Sequence, residues 1–115
     1  ELHRNAVRCS LALVDCVERL NASGAIPHTR IGIGMHAGDA MAGTLGSDER
    51  REYTLLGDTV NAAARIEQET KKHDAQILVS GTALHGLQQD EFNATDLGEI
   101  TLRGIHKAVR LYRLA

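Results

Sequence analysis

The hydrophobic period of this chain changes at Arg30, and that change constrains the fold most. Before it, Leu2, Ala6, Cys9, Leu13, Cys16 or Val17, and Leu20 recur every three or four residues. Arg4, Arg8, Asp15, Glu18 and Arg19 lie mostly off that line. The spacing predicts an amphipathic helix of about five turns with this stripe against a core. Asn21-Ala22-Ser23-Gly24 stops it, and Gly24 suits the left-handed position that follows a last turn. After Arg30 the period is two: Ile31, Ile33, Met35 and Ala37 share one face, and Gly32, Gly34 and His36 the other. A chain with both periods must build a sheet and cover it with helices.

The remaining elements follow from turn and cap residues. Gly38-Asp39 reads as a hairpin turn, with Asp39 a turn residue and Ala40 to Leu45 the return strand. Ser47 to Arg51 reads as a charged loop, and of a solvated charge and a phosphate contact the former is the simpler reading of Arg50 and Arg51. Tyr53 to Leu56 is a short strand. Asp58 is a good N-cap for a helix reaching about Lys72. Ile77 to Val79 is a buried strand, and Ser80 caps a short helix through Leu87. Ile100/Leu102 and Val109/Leu111 alternate around Gly104 to Lys107 as a second hairpin. This order predicts an α+β or α/β fold with a mixed sheet, in one domain spanning 1–115. Gly32 and Gly34 weaken a strand unless another backbone or a ligand comes close. Packing of a helix on the sheet is the simpler of those two readings.

Composition narrows the function. Apolar residues make up 43%, charged residues 24% and aromatic residues 3%, so the core rests on Leu, Ile, Val and Ala. A formal net charge of −2 gives no polyanion signal, and no nucleic-acid partner is expected. No apolar run approaches 18 residues, so this segment is expected to make no membrane contact. Cys9 and Cys16 are seven residues apart on one helix, about 10 Å along its axis, too far for a mutual disulfide. They read as reduced, partly buried thiols in a cytosolic protein. The six histidines have no ligand spacing, and no metal site is expected in this chain. The chain opens inside a helical pattern without Met, as a piece of a longer protein does.

The segment that carries chemistry is Gly57-Asp58-Thr59-Val60-Asn61-Ala62-Ala63-Ala64-Arg65. Asn61 and Arg65 are four apart and share a helix face in the first two turns. Free backbone N–H groups and the helix dipole favour an anion there. An arginine beside an asparagine suits charge that develops on a phosphoryl group. Spacing alone also fits a plain surface helix with an Asp cap. Ala62, Ala63 and Ala64 keep the surface between them thin.

The surrounding motifs resemble the class III adenylyl/guanylyl cyclase catalytic domain. They are Arg30-Ile-Gly-Ile-Gly-Met-His-Ala-Gly38, Ala42-Gly-Thr-Leu-Gly46, Arg51-Glu-Tyr-Thr-Leu-Leu-Gly-Asp58 running on to Arg65, Ile77-Leu-Val-Ser80, Leu97-Gly-Glu-Ile-Thr-Leu-Arg-Gly104 and Val109-Arg-Leu-Tyr112. They follow in order over essentially the whole chain.

The resemblance implies a ferredoxin-like, palm-type sandwich of three layers, of which this chain is the C-terminal portion and the N-terminal part is missing. It implies that two domains pair head to tail, with active sites at their interface, so a homodimer is expected. The sheet and first helix would then lack the packing partner that the first half supplies. The resemblance also implies conversion of ATP to cyclic AMP and pyrophosphate in the cytoplasm. Two ions, Mg²⁺ or Mn²⁺, would be held by aspartates of the first half. Asn61 matches the asparagine that orients the ribose and reacting phosphate, and Arg65 the arginine that stabilises the transition state. Thr54 matches the purine-selecting position; threonine there goes with adenine and with the bicarbonate-responsive subclass. Arg103 or Lys107 stands where the family places a triphosphate-binding lysine, although Arg103-Gly-Ile-His-Lys107 departs from the usual Lys-Gly-Lys. Three other readings stay open: a guanylyl cyclase, a degenerate cyclase-homology domain that only binds nucleotide, and a pure interaction module. A diguanylate cyclase fits poorly, because no Gly-Gly-Asp/Glu-Glu-Phe signature occurs.

Overall fold

A computed structural model describes residues 2–38, 41–47, 50–56, 58–85, 87, 92–105 and 107–115, with 41–47 and 50–56 as backbone only. In chain order the elements are α1 (Leu2–Ser23), β1 (Ile33–Met35), β2 (Met41–Ser47), β3 (Arg50–Leu56), α2 (Asp58–Lys72), β4 (Ile77–Ser80), β5 (Thr95–Ile100) and β6 (Val109–Arg113). Four strands form a mixed sheet in the order β1-β4-β6-β5. The β1–β4 pair is parallel, Ile33 against Ile77, and the other pairs are antiparallel. The fold is α+β, one of the two classes that the element order leaves open.

The two helices lie on opposite faces of this sheet. Val79 and Tyr112 cluster with Val7 of α1, while their strand neighbours Leu78 and Leu111 cluster with Ala62 and Ile66 of α2. Adjacent strand residues point to opposite faces, so the layers run helix, sheet, helix. All four residues of β4 are buried, as a central strand covered on both sides requires.

The face of β1 that carries Gly32 and Gly34 lies directly under α2. A Cβ at Gly34 would collide with the Glu67 backbone N and lie 2.8 Å from Ala63 O. A Cβ at Gly32 would lie 2.5 Å from Thr70 Oγ1, and one at Gly38 2.6 Å from Thr59 Oγ1. The glycines thus serve close helix–sheet packing, the simpler of the two readings above.

Helix ends match the sequence signals. Gly24 follows α1 at φ 74°, Asp58 opens α2, and Lys71 and Lys72 close it. Arg30 also anchors the end of α2, where carbonyls have no helical partner. Its Nη2 donates to Thr70 O at 3.0 Å and Ala75 O at 2.6 Å. Arg30→Ala is expected to lower unfolding stability by about 1–3 kcal/mol, read from the denaturation midpoint.

Four expectations need correction. The buried line of α1 is Val7, Ser10 and Val14. Leu2, Leu13 and Leu20 remain 79%, 51% and 37% exposed, and Cys9 and Cys16 are exposed rather than partly buried. The helix approaches the sheet through small and β-branched side chains. Ser10 is tolerated there because its hydroxyl bonds Ala6 O at 2.9 Å and lies 3.3 Å from the Met35 sulfur.

Second, β1 does not form a hairpin with the segment that follows it. β2 pairs antiparallel with β3, from Met41–Leu56 to Ser47–Arg50, while β1 pairs with the distant β4. Third, Ser47, Arg50 and Arg51 accordingly belong to strands rather than to a loop. Asp39 lies outside the described residues. Fourth, Gly81 to His85 form turns instead of a short helix. The cap is kept, since Ser80 Oγ accepts from Ala83 N at 3.3 Å. The second hairpin forms as expected, β5 against β6, and β5 begins earlier, at Thr95.

Candidate active site

The start of α2 is fixed by what lies beneath it. Ala62, Ile66 and Thr70 are buried against the sheet, and the Ala63 backbone presses on Gly34. Asn61 is exposed and Arg65 half-buried, on a flank of the helix away from β1. Their shared face is therefore presented outward, within the two turns where the helix dipole favours an anion. Arg65 does not hang loose: its Nη1 donates to Gln68 Oε1 at 2.9 Å. A neutral acceptor orients the guanidinium without cancelling its charge, which keeps it suited to an anion.

The substrate-binding candidates lie on neighbouring elements. Thr54 sits in β3, opposite Gly43, in the strand that leads into α2. Arg103 and Lys107 are exposed in the β5–β6 hairpin. That hairpin turns at Gly104, whose φ of 78° is left-handed, with Ile105 N donating to Leu102 O at 3.1 Å. A cleft of about 460 Å³ separates the hairpin from α2 and is lined by Lys107, Asp58, Thr59, Ala62, His36 and Thr82, among others. Lys107 is thus brought to the start of α2. Asn61, Arg65 and Arg103 are not among the residues that line this cleft. Arg110, which also lines it, is held by Asp96 at 2.7 Å.

Two arrangements were not foreseen from the sequence. One is the Gln68 tether; its only signal was the spacing i, i+3 from Arg65. The other is a polar cluster below α2. His36 Nδ1 lies 2.7 Å from Ser80 Oγ, and Ser80 Oγ lies 2.9 Å from Thr82 Oγ1. Burial lowers the pKa of His36, so its ring is neutral at pH 7 and one nitrogen is an acceptor. Its only signal was a side chain within a stripe of glycines.

Among the described residues no group of three or more His, Cys, Asp or Glu could hold a metal. No helix among them is long and apolar enough to cross a membrane.

Residues 2–115 match the family described as the adenylate and guanylate cyclase catalytic domain. This chain belongs to that family. Adenylate cyclase 1 of Rhizobium meliloti is 36% identical over 114 residues, which are 96% of this chain and 17% of that protein. The structure of a bacterial light-regulated adenylyl cyclase superposes with a TM-score of 0.78 at 25% identity, over 99% of this chain and 58% of that one. A guanylyl cyclase structure superposes with a TM-score of 0.64 at 25% identity, over 96% and 54%. This chain spans between 5% and 17% of the length of curated relatives that it matches.

Proposed function

We propose that this chain is the C-terminal portion of an adenylate cyclase catalytic domain, and that Asn61 and Arg65 act on the reacting phosphate of ATP. The observation that carries the reading is their shared outward face on the first turns of α2, with Arg65 oriented by Gln68. The reaction is an intramolecular phosphoryl transfer: the ribose 3′-oxygen attacks the α-phosphorus, and the bond to pyrophosphate breaks. The protein's part is positioning and charge stabilisation. Arg65 donates to the charge that builds on the phosphoryl oxygens as that bond breaks. Asn61 donates to the ribose and holds it in line. Lys107 and Arg103 offer cations to the triphosphate from the hairpin.

An outward face of this kind acts on a substrate held between two subunits, which supports a homodimer as the working form. Mg²⁺ or Mn²⁺ would supply nucleophile activation and charge neutralisation. The described residues do not fit a metal site, so the ligands of these ions would lie outside them. A cytoplasmic setting follows from the nucleotide substrate.

Thr54 supports adenine as the base and the threonine subclass, whose members often respond to bicarbonate. The test is to assay the whole protein with ATP and GTP. Cyclic AMP should form with kcat/KM at least ~10-fold above that for GTP. Comparable or faster turnover of GTP would make it a guanylyl cyclase. Nucleotide binding without turnover would make it a degenerate member of the family.

A further inference from the structure

Along β1 and the residues flanking it, the side facing α2 reads Gly32, Gly34, His36, Gly38. Three of these positions have no side chain because the helix leaves no room for one. His36 is the exception, and it lies between the residue under Ala63 and Glu67 and the residue under Thr59. Its imidazole is therefore below the first turn of α2, the turn that carries Asn61. It lines the same cleft as Thr59 and Ala62.

The ring is held across the sheet. Nδ1 reaches Ser80 Oγ at 2.7 Å and Thr82 Oγ1 at 3.3 Å. Ser80 is fully buried, and its hydroxyl also accepts from Ala83 N. The cluster thus joins the end of β1 to the end of β4 and to the turn that follows. Ser80 is the buried member, His36 is half-buried and Thr82 is exposed, so the cluster is anchored at Ser80, where loss of the imidazole would leave a buried hydroxyl with fewer partners.

We propose that His36, held by Ser80 and Thr82, is a positioning residue that sets the height and tilt of the first turn of α2, and so places Asn61 and Arg65 against the reacting phosphate. This rests on the role given to Asn61 and Arg65 above. In this role His36 acts through the helix. The demand on such a prop is strict, since displacing a transition-state donor by about 1 Å costs up to roughly 10²-fold in rate.

The test uses the whole protein and five variants: His36→Ala, His36→Asn, Ser80→Ala, the His36→Ala/Ser80→Ala double variant and Arg65→Ala. The amide of Asn can stand in for Nδ1 and keep the bond to Ser80. His36→Ala should lower kcat by about 10-fold or more while KM for ATP stays within about twofold. His36→Asn should recover most of that loss. Ser80→Ala should lower kcat in the same way, and adding His36→Ala to it should cost little more, as expected of residues that act as a unit.

If Arg65→Ala abolishes turnover but His36→Ala and Ser80→Ala reduce only the thermal midpoint, the positioning role is overturned and the reading of Arg65 survives. If Arg65→Ala is silent, both fall together. If His36→Ala does not fold, the contrast between His36→Asn and Ser80→Ala decides. Near-normal kcat in Ser80→Ala then overturns the proposal.

Discussion

Alanine at position 65 is expected to lower cyclic AMP formation by the whole protein by about 10²–10³-fold, with KM for ATP changed far less. The size follows from what is removed. A donor aimed at charge that exists fully only in the transition state is worth about 3–4 kcal/mol in a water-excluded site. A surface arginine in a salt-screened contact is worth about 1 kcal/mol or less. The two readings of Arg65, transition-state donor and solvated helix charge, therefore differ by orders of magnitude in rate, and one assay separates them. The partner that Arg65 has among the described residues, the neutral Gln68 side chain, is consistent with the first. Lysine at 65 should fall between wild type and alanine, since it keeps the charge but loses the planar fork. Unchanged kcat in the alanine variant, with the protein folded, would remove Arg65 from the mechanism.

Much of this arrangement was legible in the sequence because it is set by local rules. The alternation of Ile31, Ile33, Met35 and Ala37 with Gly32, Gly34 and His36 gave the two faces of β1 correctly. Asp58 and Lys72 bounded α2, and Gly24 ended α1. What was not legible depends on partners distant in the chain. α1 carries two apolar lines of equal helical period, Leu2–Leu13–Leu20 and Val7–Val14. Period alone ranks the larger side chains first. The sheet instead selects the line whose side chains let the helix come close to Val79 and Tyr112.

The same limit explains the hairpin error. Met41–Ser47 has strand character, and nothing in it states whether its partner precedes or follows it. β1 was already committed to β4, more than forty residues away. In the site, the Asn61–Arg65 spacing could be read directly, while the roles of those residues came only with the family motifs. The Gln68 tether and the His36–Ser80–Thr82 cluster required side chains to be placed in three dimensions.

The largest effect on stability is expected at Gly34. Gly34→Ala should lower the unfolding free energy by about 3 kcal/mol, near the upper end for overpacking a well-filled core. The reason lies in what the added methyl meets. Its neighbours are the Glu67 backbone N and the Ala63 carbonyl oxygen, and neither can swing aside as a side chain can. The methyl fits only if α2 lifts from β1, which would also loosen Ala62 and Ile66 from the core.

Gly98 provides the contrast. It has a φ of 84° and nothing within 4 Å of an added Cβ, so Gly98→Ala carries only backbone strain, about 1–2 kcal/mol. Denaturant unfolding of the two variants should therefore rank Gly34→Ala well below Gly98→Ala. The catalytic consequence separates them further. Lifting α2 displaces the turn that carries Asn61 and Arg65, so Gly34→Ala should lose turnover even at temperatures where it remains folded, and Gly98→Ala should not. Equal stability losses with equal activity would mean that the close contact of α2 with β1 does not hold the site, and that the glycine stripe does not position Asn61 and Arg65.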